Sequence, residues 1–289
     1  VLHPGIHLFF RYTETHHYNA SLPYSSCLQK HHTGAFMSLC AQAINHIADL
    51  LLHARTTNER ISFQEYTRTP LTLDDAYSIQ TRVASDSGPI GAWKTGRPDN
   101  ASVPVYAPIL AQTVRPSPAN YDAHELYSCG IELEIGFCID RPLPPPGPDF
   151  AAALRNCVRP LVTLEIVDSR VQDFTELPAA AKLADNQVNG GLVIGTPVDD
   201  WADVNLTQAE VTLSVNGQVV VSCLSDVPGG NAFDTLVAMA SLIGTHCGGL
   251  QPGQFVTTGT LSGILFLEPG STVQGQVAGL GTISATYGI

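Results

Sequence analysis

The sequence predicts an α+β fold, with a small helical N-terminal region leading into a β-rich domain. Three observations predict it. The stretch from Met37, MSLCAQAINHIADLLLHA, repeats Ile44, Ile47 and Leu51 at helical spacing. After Gly88-Pro89, glycine and proline become frequent and short β-branched runs alternate with turns. Within that second part, Ile131-Glu132-Leu133-Glu134-Ile135-Gly136-Phe137 alternates strictly between apolar residues and acidic or small ones, which is the period of a strand.

Residues 1–36 resemble neither part. They carry His3, His7, His16, His17, His31 and His32 and no sustained periodicity, so they read as an atypical N-terminal extension, with the natural start expected at Met37. A helical region follows over 37–88. Its second helix fits Leu73 to Val83, with Thr72 as N-cap and Asp74 and Asp75 in the first turn, where carboxylates complement the helix dipole.

The β-rich domain spans 89–289. Its strand candidates are 131–138, 161–167, 191–195, 210–215, 218–224, 254–258, 263–267, 272–277 and 282–287. Asn216-Gly217 between two of them is a hairpin signal. One later helix fits Asp234–Ile243, where Leu236, Met239, Ala240 and Ile243 share a face, and the proline-rich stretch 142–148 is a loop. No internal repeat is present.

Composition narrows the function. With 44% apolar and 14% charged residues the chain is built to bury a core. A net charge of −12 and no basic run argue against nucleic acid or an anionic membrane as partner. No apolar run reaches the roughly 18 residues of a membrane span. The seven cysteines are odd in number and none is spaced as CxxC, which points to free thiols in a reducing compartment, the cytoplasm.

Glu132 and Glu134 lie side by side on one face of their strand. On a solvated face they are unremarkable; facing a cavity, they need a raised pKa or a bound cation. Glu165 repeats the pattern inside Leu161-Val162-Thr163-Leu164-Glu165-Ile166-Val167, an apolar run that reads as a buried strand. Three carboxylates from two strands, with no lysine or arginine in either run, suit a hard divalent cation such as Mg2+ or Mn2+. Lys94, in Gly91-Ala92-Trp93-Lys94-Thr95-Gly96, is one of three lysines in the chain; beside an acidic metal site it could act as acid or base, or hold a substrate oxyanion. Gly279-Leu280-Gly281 is a turn and not a dinucleotide fingerprint, since no helix or acidic ribose partner follows. His246-Cys247 has no evident third partner for a nucleophile, and Cys129 and Cys138 read as packing residues.

GAWKTG, GIELEIGF, LEIVDSR, LADNQVNGG, NGQVVVS with GGNAFDTLVAMA, GLQPGQFVTTGTLSG and VAGLGTISATYG occur here in that order. In this order and spacing the chain resembles the 2-keto-4-pentenoate hydratase and 4-oxalocrotonate decarboxylase group of the fumarylacetoacetate hydrolase superfamily, over residues 40–289. The resemblance implies a mixed β-roll core and a metal held by Glu132, Glu134 and Glu165. It also implies an active-site lysine at Lys94 and, at Asp185, the acid of the A-D-N motif; both are expected to be catalytic, in proton transfer or in orienting water. Thr258-Gly259-Thr260 matches the turn that contacts a substrate carboxylate. The implied activity is a metal-dependent hydratase, a lyase acting on a 2-oxo acid or its dienol, such as 2-hydroxypenta-2,4-dienoate, in catabolism of aromatic ring-cleavage products. A homo-oligomer is usual for the group. Decarboxylation of a 4-oxalocrotonate-type acid, C–C hydrolysis, or a non-catalytic scaffold role are the alternatives.

Two positions depart from the group's pattern. The hydratases carry a Gln-Pro-Asp-Tyr-Gly-like segment where this chain has Val103-Pro104-Val105-Tyr106-Ala107-Pro108, so Val105 replaces the acid. Val188 stands where the A-D-N motif often continues with serine. Both changes remove polar groups near the expected site.

Overall fold

A computed structural model of the protein describes residues 39–288. The expected extension over 1–36 and the start at Met37 lie outside the described residues. In chain order the elements are α1 (Ala41–Thr57), α2 (Phe63–Tyr66), α3 (Leu73–Ser87), β1 (Ile90–Gly96), β2 (Val105–Leu110), β3 (Val114–Pro116), β4 (Ala119–Tyr121), β5 (Cys129–Ile139), α4 (Phe150–Arg155), β6 (Val158–Val167), α5 (Ala179–Ala184), β7 (Asn189–Ile194), β8 (Gln208–Val215), β9 (Gln218–Asp226), α6 (Ala232–Leu242), β10 (Phe255–Thr260), β11 (Leu265–Leu267), β12 (Ser271–Val277) and β13 (Gly281–Tyr287).

Helix α1 buries Ile47, Ala48, Leu51 and Ala54 and ends at Asn58, whose left-handed backbone stops it. Helix α3 starts at a reciprocal capping box: Thr72 accepts from the Asp75 N–H, and the Asp75 carboxylate accepts from the Thr72 N–H. It runs four residues beyond the expected end, to Ser87, before Gly88 turns the chain with φ +112°. Together α1, α3 and α5 bury a separate apolar cluster with Ile61, Tyr66 and Val171.

Every expected strand is present, most of them a residue or two longer. The Asn216-Gly217 hairpin joins β8 to β9 with φ +50° and +76°, the paired positive values that a tight hairpin turn needs. Strands β1 to β4 and helices α2, α4 and α5 were not expected. The important omission is β1, which carries Lys94. Its sequence, Ile-Gly-Ala-Trp-Lys-Thr-Gly, has no clean alternation because both of its faces are covered.

The larger sheet runs β2-β1-β10-β5-β6-β7-β3, with β11 also pairing β5. Pairs β1–β10 and β3–β7 are parallel and the other pairs antiparallel, so the sheet is mixed. A five-stranded sheet, β4-β13-β12-β8-β9, packs against it. Ile131, Leu133, Ile135 and Phe137 of β5 point into the core between them with Leu213, Val273 and Ile283. Each such side chain stabilises the fold by about 1.5–3 kcal/mol on burial. The sheets meet so closely that a Cβ on Gly275 would lie 2.6 Å from Leu133 Cδ1. The strand period then forces Glu132 and Glu134 onto the opposite face.

Candidate metal centre

Register places the three glutamates together. Glu132 of β5 is directly opposite Glu165 of β6, and Glu134 is opposite Thr163. One oxygen from each of Glu132, Glu134 and Glu165 lies within 4.8 Å of the others. The solvated-face reading of this strand does not hold, because Glu134 and Glu165 are buried. Gly136 is required next to them: a Cβ there would meet Thr163 Cγ2 at 2.6 Å and the Val256 carbonyl at 2.9 Å.

Each of two glutamates has one oxygen fixed and one left over. Glu134 Oε2 accepts from the Thr257 hydroxyl and from the Gly259 N–H at 2.8 Å. Glu165 Oε1 accepts from Lys94 Nζ at 2.5 Å and from Asn189 Nδ2 at 2.9 Å. Glu165 Oε2 is buried with no hydrogen-bond partner. An ionised oxygen is costly there unless a cation faces it. Hard divalent cations take oxygen ligands at about 2.0–2.6 Å, which three oxygens at these separations can supply. The donor set therefore fits a divalent metal.

Charge points the same way. Three carboxylates against the single ammonium of Lys94 leave two negative charges for a divalent ion. Burial pushes the Glu132 and Glu134 carboxyls up, the Glu165 charge pushes them further, and Lys94 only partly offsets this. Burial alone would pull Lys94 down, but Glu165, Glu132 and Glu134 outweigh it and hold the ammonium above its ordinary range.

Lys94 sits on β1 opposite Thr257 of β10 and also donates to the Gln187 carbonyl at 3.1 Å. That carbonyl belongs to a left-handed turn in which Asn186, Gln187 and Val188 have φ +50°, +51° and +56°. Each such residue costs roughly 1–2 kcal/mol, and most for β-branched Val188. The surrounding contacts over-determine it.

The remaining expected site residues fall in two places. Thr260 is opposite Glu134, and its buried hydroxyl faces the Glu132 carboxylate and favours its charged form. Gly259 contributes its N–H to Glu134, while the Thr258 hydroxyl donates to the Ile135 carbonyl. Asp185 is fully buried, and its carboxylate accepts from Ser169 Oγ, the Arg170 N–H and Arg170 Nε at 2.9, 3.0 and 2.6 Å. Val105 packs against the helical cluster. Thr257, Asn189 and Arg170 were not singled out from the sequence. All three stand inside the motifs that carry the family resemblance, yet nothing in a linear pattern tells a turn asparagine from one that holds a carboxylate.

The segment 96–287, which carries all three glutamates, matches the family model for the fumarylacetoacetate (FAA) hydrolase C-terminal domain. The chain belongs to the fumarylacetoacetate hydrolase family. Among family relatives, a 4-oxalocrotonate decarboxylase of Pseudomonas sp. (strain CF600) is 24% identical over 228 residues, covering 75% of this chain and 86% of that protein. A 2-keto-4-pentenoate hydratase of Burkholderia vietnamiensis is 26% identical over 162 residues, 54% of this chain and 60% of that one. In fold, this family member matches the 4-oxalocrotonate decarboxylase of Pseudomonas putida G7, a structure with magnesium and adipate, at TM-score 0.73 and 22% identity, over 86% of this chain and 99% of that one.

Other features of this family member do not compete with the centre. The six described cysteines are free. Burial pushes Cys247 up to about 11, far from a thiolate nucleophile, although His246 Nε2 lies 3.4 Å away. The Gly279–Gly281 stretch is the β12–β13 turn, as expected. A surface groove of about 520 Å3, lined by Arg141, Arg155, Arg159 and Trp201 among others, shares no residue with the glutamates. Arg159 bridges Asp140 and Asp199 there, and Arg155 stacks on Trp201 at 3.7 Å. Among the described residues, no helix is long and apolar enough to cross a membrane.

Proposed function

We propose that this chain is a divalent-metal-dependent lyase that adds water to the dienol of a small 2-oxo acid, such as 2-hydroxypenta-2,4-dienoate. The observation that carries the reading is the convergence of Glu132, Glu134 and Glu165, with Glu165 Oε2 buried and unpartnered while Lys94 Nζ holds Oε1 of the same carboxylate. The hydratase names among the relatives supply the reaction class.

Mg2+ or Mn2+ would be held by one oxygen each of Glu132, Glu134 and Glu165. Such an ion supplies Lewis-acid chemistry, taking up negative charge that develops on a 2-oxo acid as it enolises. Lys94 rests as an ammonium, so its part is to donate a proton from Nζ to the substrate and then to recover one. Glu165 and the Gln187 carbonyl fix where that nitrogen stands. The Thr260 hydroxyl stands beside Glu132, where a substrate carboxylate at the centre could also reach it, and the Gly259 N–H keeps Glu134 from turning away. Ile131, Leu133 and Ile135 behind the strand keep bulk water off the far face of the centre.

Decarboxylation is the second reading. The decarboxylase relative aligns with 75% of this chain against 54% for the hydratase, and Val105 replaces the hydratases' acid with a packed apolar side chain. Purified protein with Mn2+ separates the two. Loss of 2-hydroxypenta-2,4-dienoate absorbance without CO2 supports hydration, whereas CO2 from a 4-oxalocrotonate-type dicarboxylate supports decarboxylation. Inertness toward both acids in a protein that binds Mn2+ rejects both readings.

A further inference from the structure

Arg170 is a buried cation that the reaction above does not use. It spans one segment from end to end. Nε donates to Asp185 Oδ1 at 2.6 Å and Nη2 to the Asp185 carbonyl at 3.0 Å, while Nη1 donates to the Asn189 carbonyl at 2.7 Å. Ser169 Oγ completes the hold on Asp185, and Arg55 stands 3.6 Å from the same carboxylate. Between the two clamped ends lie the three left-handed residues Asn186, Gln187 and Val188. Three consecutive positive φ values without glycine do not persist unless both ends are pinned.

Two polar groups leave this segment toward the centre. The Gln187 carbonyl accepts from Lys94 Nζ at 3.1 Å, and Asn189 Nδ2 donates to Glu165 Oε1 at 2.9 Å. Asn189 Nδ2 also donates to the Gly191 carbonyl at 3.1 Å, which fixes the amide's rotation. The segment has little room to relax: a Cβ on Gly190 would meet Asp168 Cβ at 2.7 Å, and one on Gly191 the Thr113 carbonyl at 2.8 Å.

We propose that Arg170 and Asp185 are positioning residues: they pin the left-handed 186–188 turn so that Gln187 aims Lys94 and Asn189 turns the free oxygen of Glu165 toward the metal. This rests on the metal reading above. It gives Asp185 a different task from proton transfer, since the oxygens of that carboxylate are already engaged by Arg170 and Ser169. An arginine is needed because one planar fork must reach a carboxylate and two carbonyls at once, which a lysine ammonium cannot do.

The test compares Arg170→Lys, Asn189→Ala and the double variant with the parent full-length protein, by Mn2+ titration calorimetry, melting temperature in EDTA, and turnover. Partners that orient a metal ligand typically change metal affinity by about 10–100-fold. Folded Arg170→Lys is expected to weaken Mn2+ about tenfold or more and to lower kcat more than it changes KM. Asn189→Ala should weaken Mn2+ similarly, and the double variant little further, because both act through one contact. A merely structural arginine would lower the melting temperature and leave Mn2+ affinity of the folded protein within twofold of the parent; that result overturns the proposal. If Arg170→Lys does not fold, Asn189→Ala decides, and parental Mn2+ affinity there overturns it equally. Absence of Mn2+ binding by the parent would instead sink the metal reading.

Discussion

Glu132 and Glu165 sit directly opposite each other on β5 and β6, adjacent antiparallel strands in the interior of the larger sheet. Like charges in that relation destabilise a sheet. A divalent cation that neutralises them should therefore stabilise the metal-free protein. At Mn2+ one hundred times its Kd the gain is about 2.7 kcal/mol, or roughly 5–10 °C in melting temperature for a domain this size. Thermal-shift titration checks it, and oxalate should add a further shift only with Mn2+ present. Glu165→Gln should abolish both shifts.

Glu132 and Glu134 set a pH dependence. Burial, and then the Glu165 charge, raise Glu132 to about 7 and Glu134 to about 8, so the folded state keeps protons that the unfolded state releases near its ordinary 4.5. Their contribution to metal-free stability is fully present below pH 4.5 and is lost as pH rises through 7 to 8. Cation binding expels those protons. Denaturant unfolding in EDTA at pH 6, 7 and 8.5 should show the decline, and the stabilisation by Mn2+ should be larger at pH 8.5 than at pH 6.

Lys94→Ala separates chemistry from metal binding. Loss of a positioned proton donor costs about 10²–10⁴-fold in turnover. Because Glu165 Oε1 keeps Asn189 as a donor, the carboxylate stays oriented and Mn2+ should still bind. Parental turnover in this variant would remove Lys94 from the mechanism.

Thr257→Val probes the other glutamate. It deletes the hydroxyl that donates to Glu134 Oε2 and nearly preserves volume. A hydrogen bond to a charged group contributes about 1.5–3 kcal/mol. Unfolding measured with Mn2+ should show that loss together with weaker Mn2+ affinity.

Gly136→Ala tests the packing beside the centre. The added methyl has no space between Thr163 and the Val256 carbonyl, and overpacking of this kind costs about 1–3 kcal/mol. The expected readout is a lower denaturation midpoint with an unchanged denaturant slope.

The glutamates of the centre were legible from the chain because a strand's two-residue period is local: Ile131, Leu133, Ile135 and Phe137 commit one face to the core, and Glu132 and Glu134 must take the other. Glu165 announced itself by standing charged within an apolar run. The capped α3, the Asn216-Gly217 turn and nearly all of β5 to β13 followed from equally local rules.

Strand β1 was not legible, because a strand covered on both faces loses its alternation, and with it went the placement of Lys94. Nor could a linear pattern show that Thr257 on β10 and Asn189 on β7 meet the glutamates, or that Arg170 after β6 clamps Asp185 and Asn189, since hydrogen bonds between distant segments depend on register and strand order. The residue types that carry charge were determined by the sequence itself. Which oxygen of each carboxylate is held and which is left free was decided by tertiary structure alone, because only the packed sheet brings donors from three separate strands, β1, β7 and β10, within hydrogen-bond distance of those carboxylates.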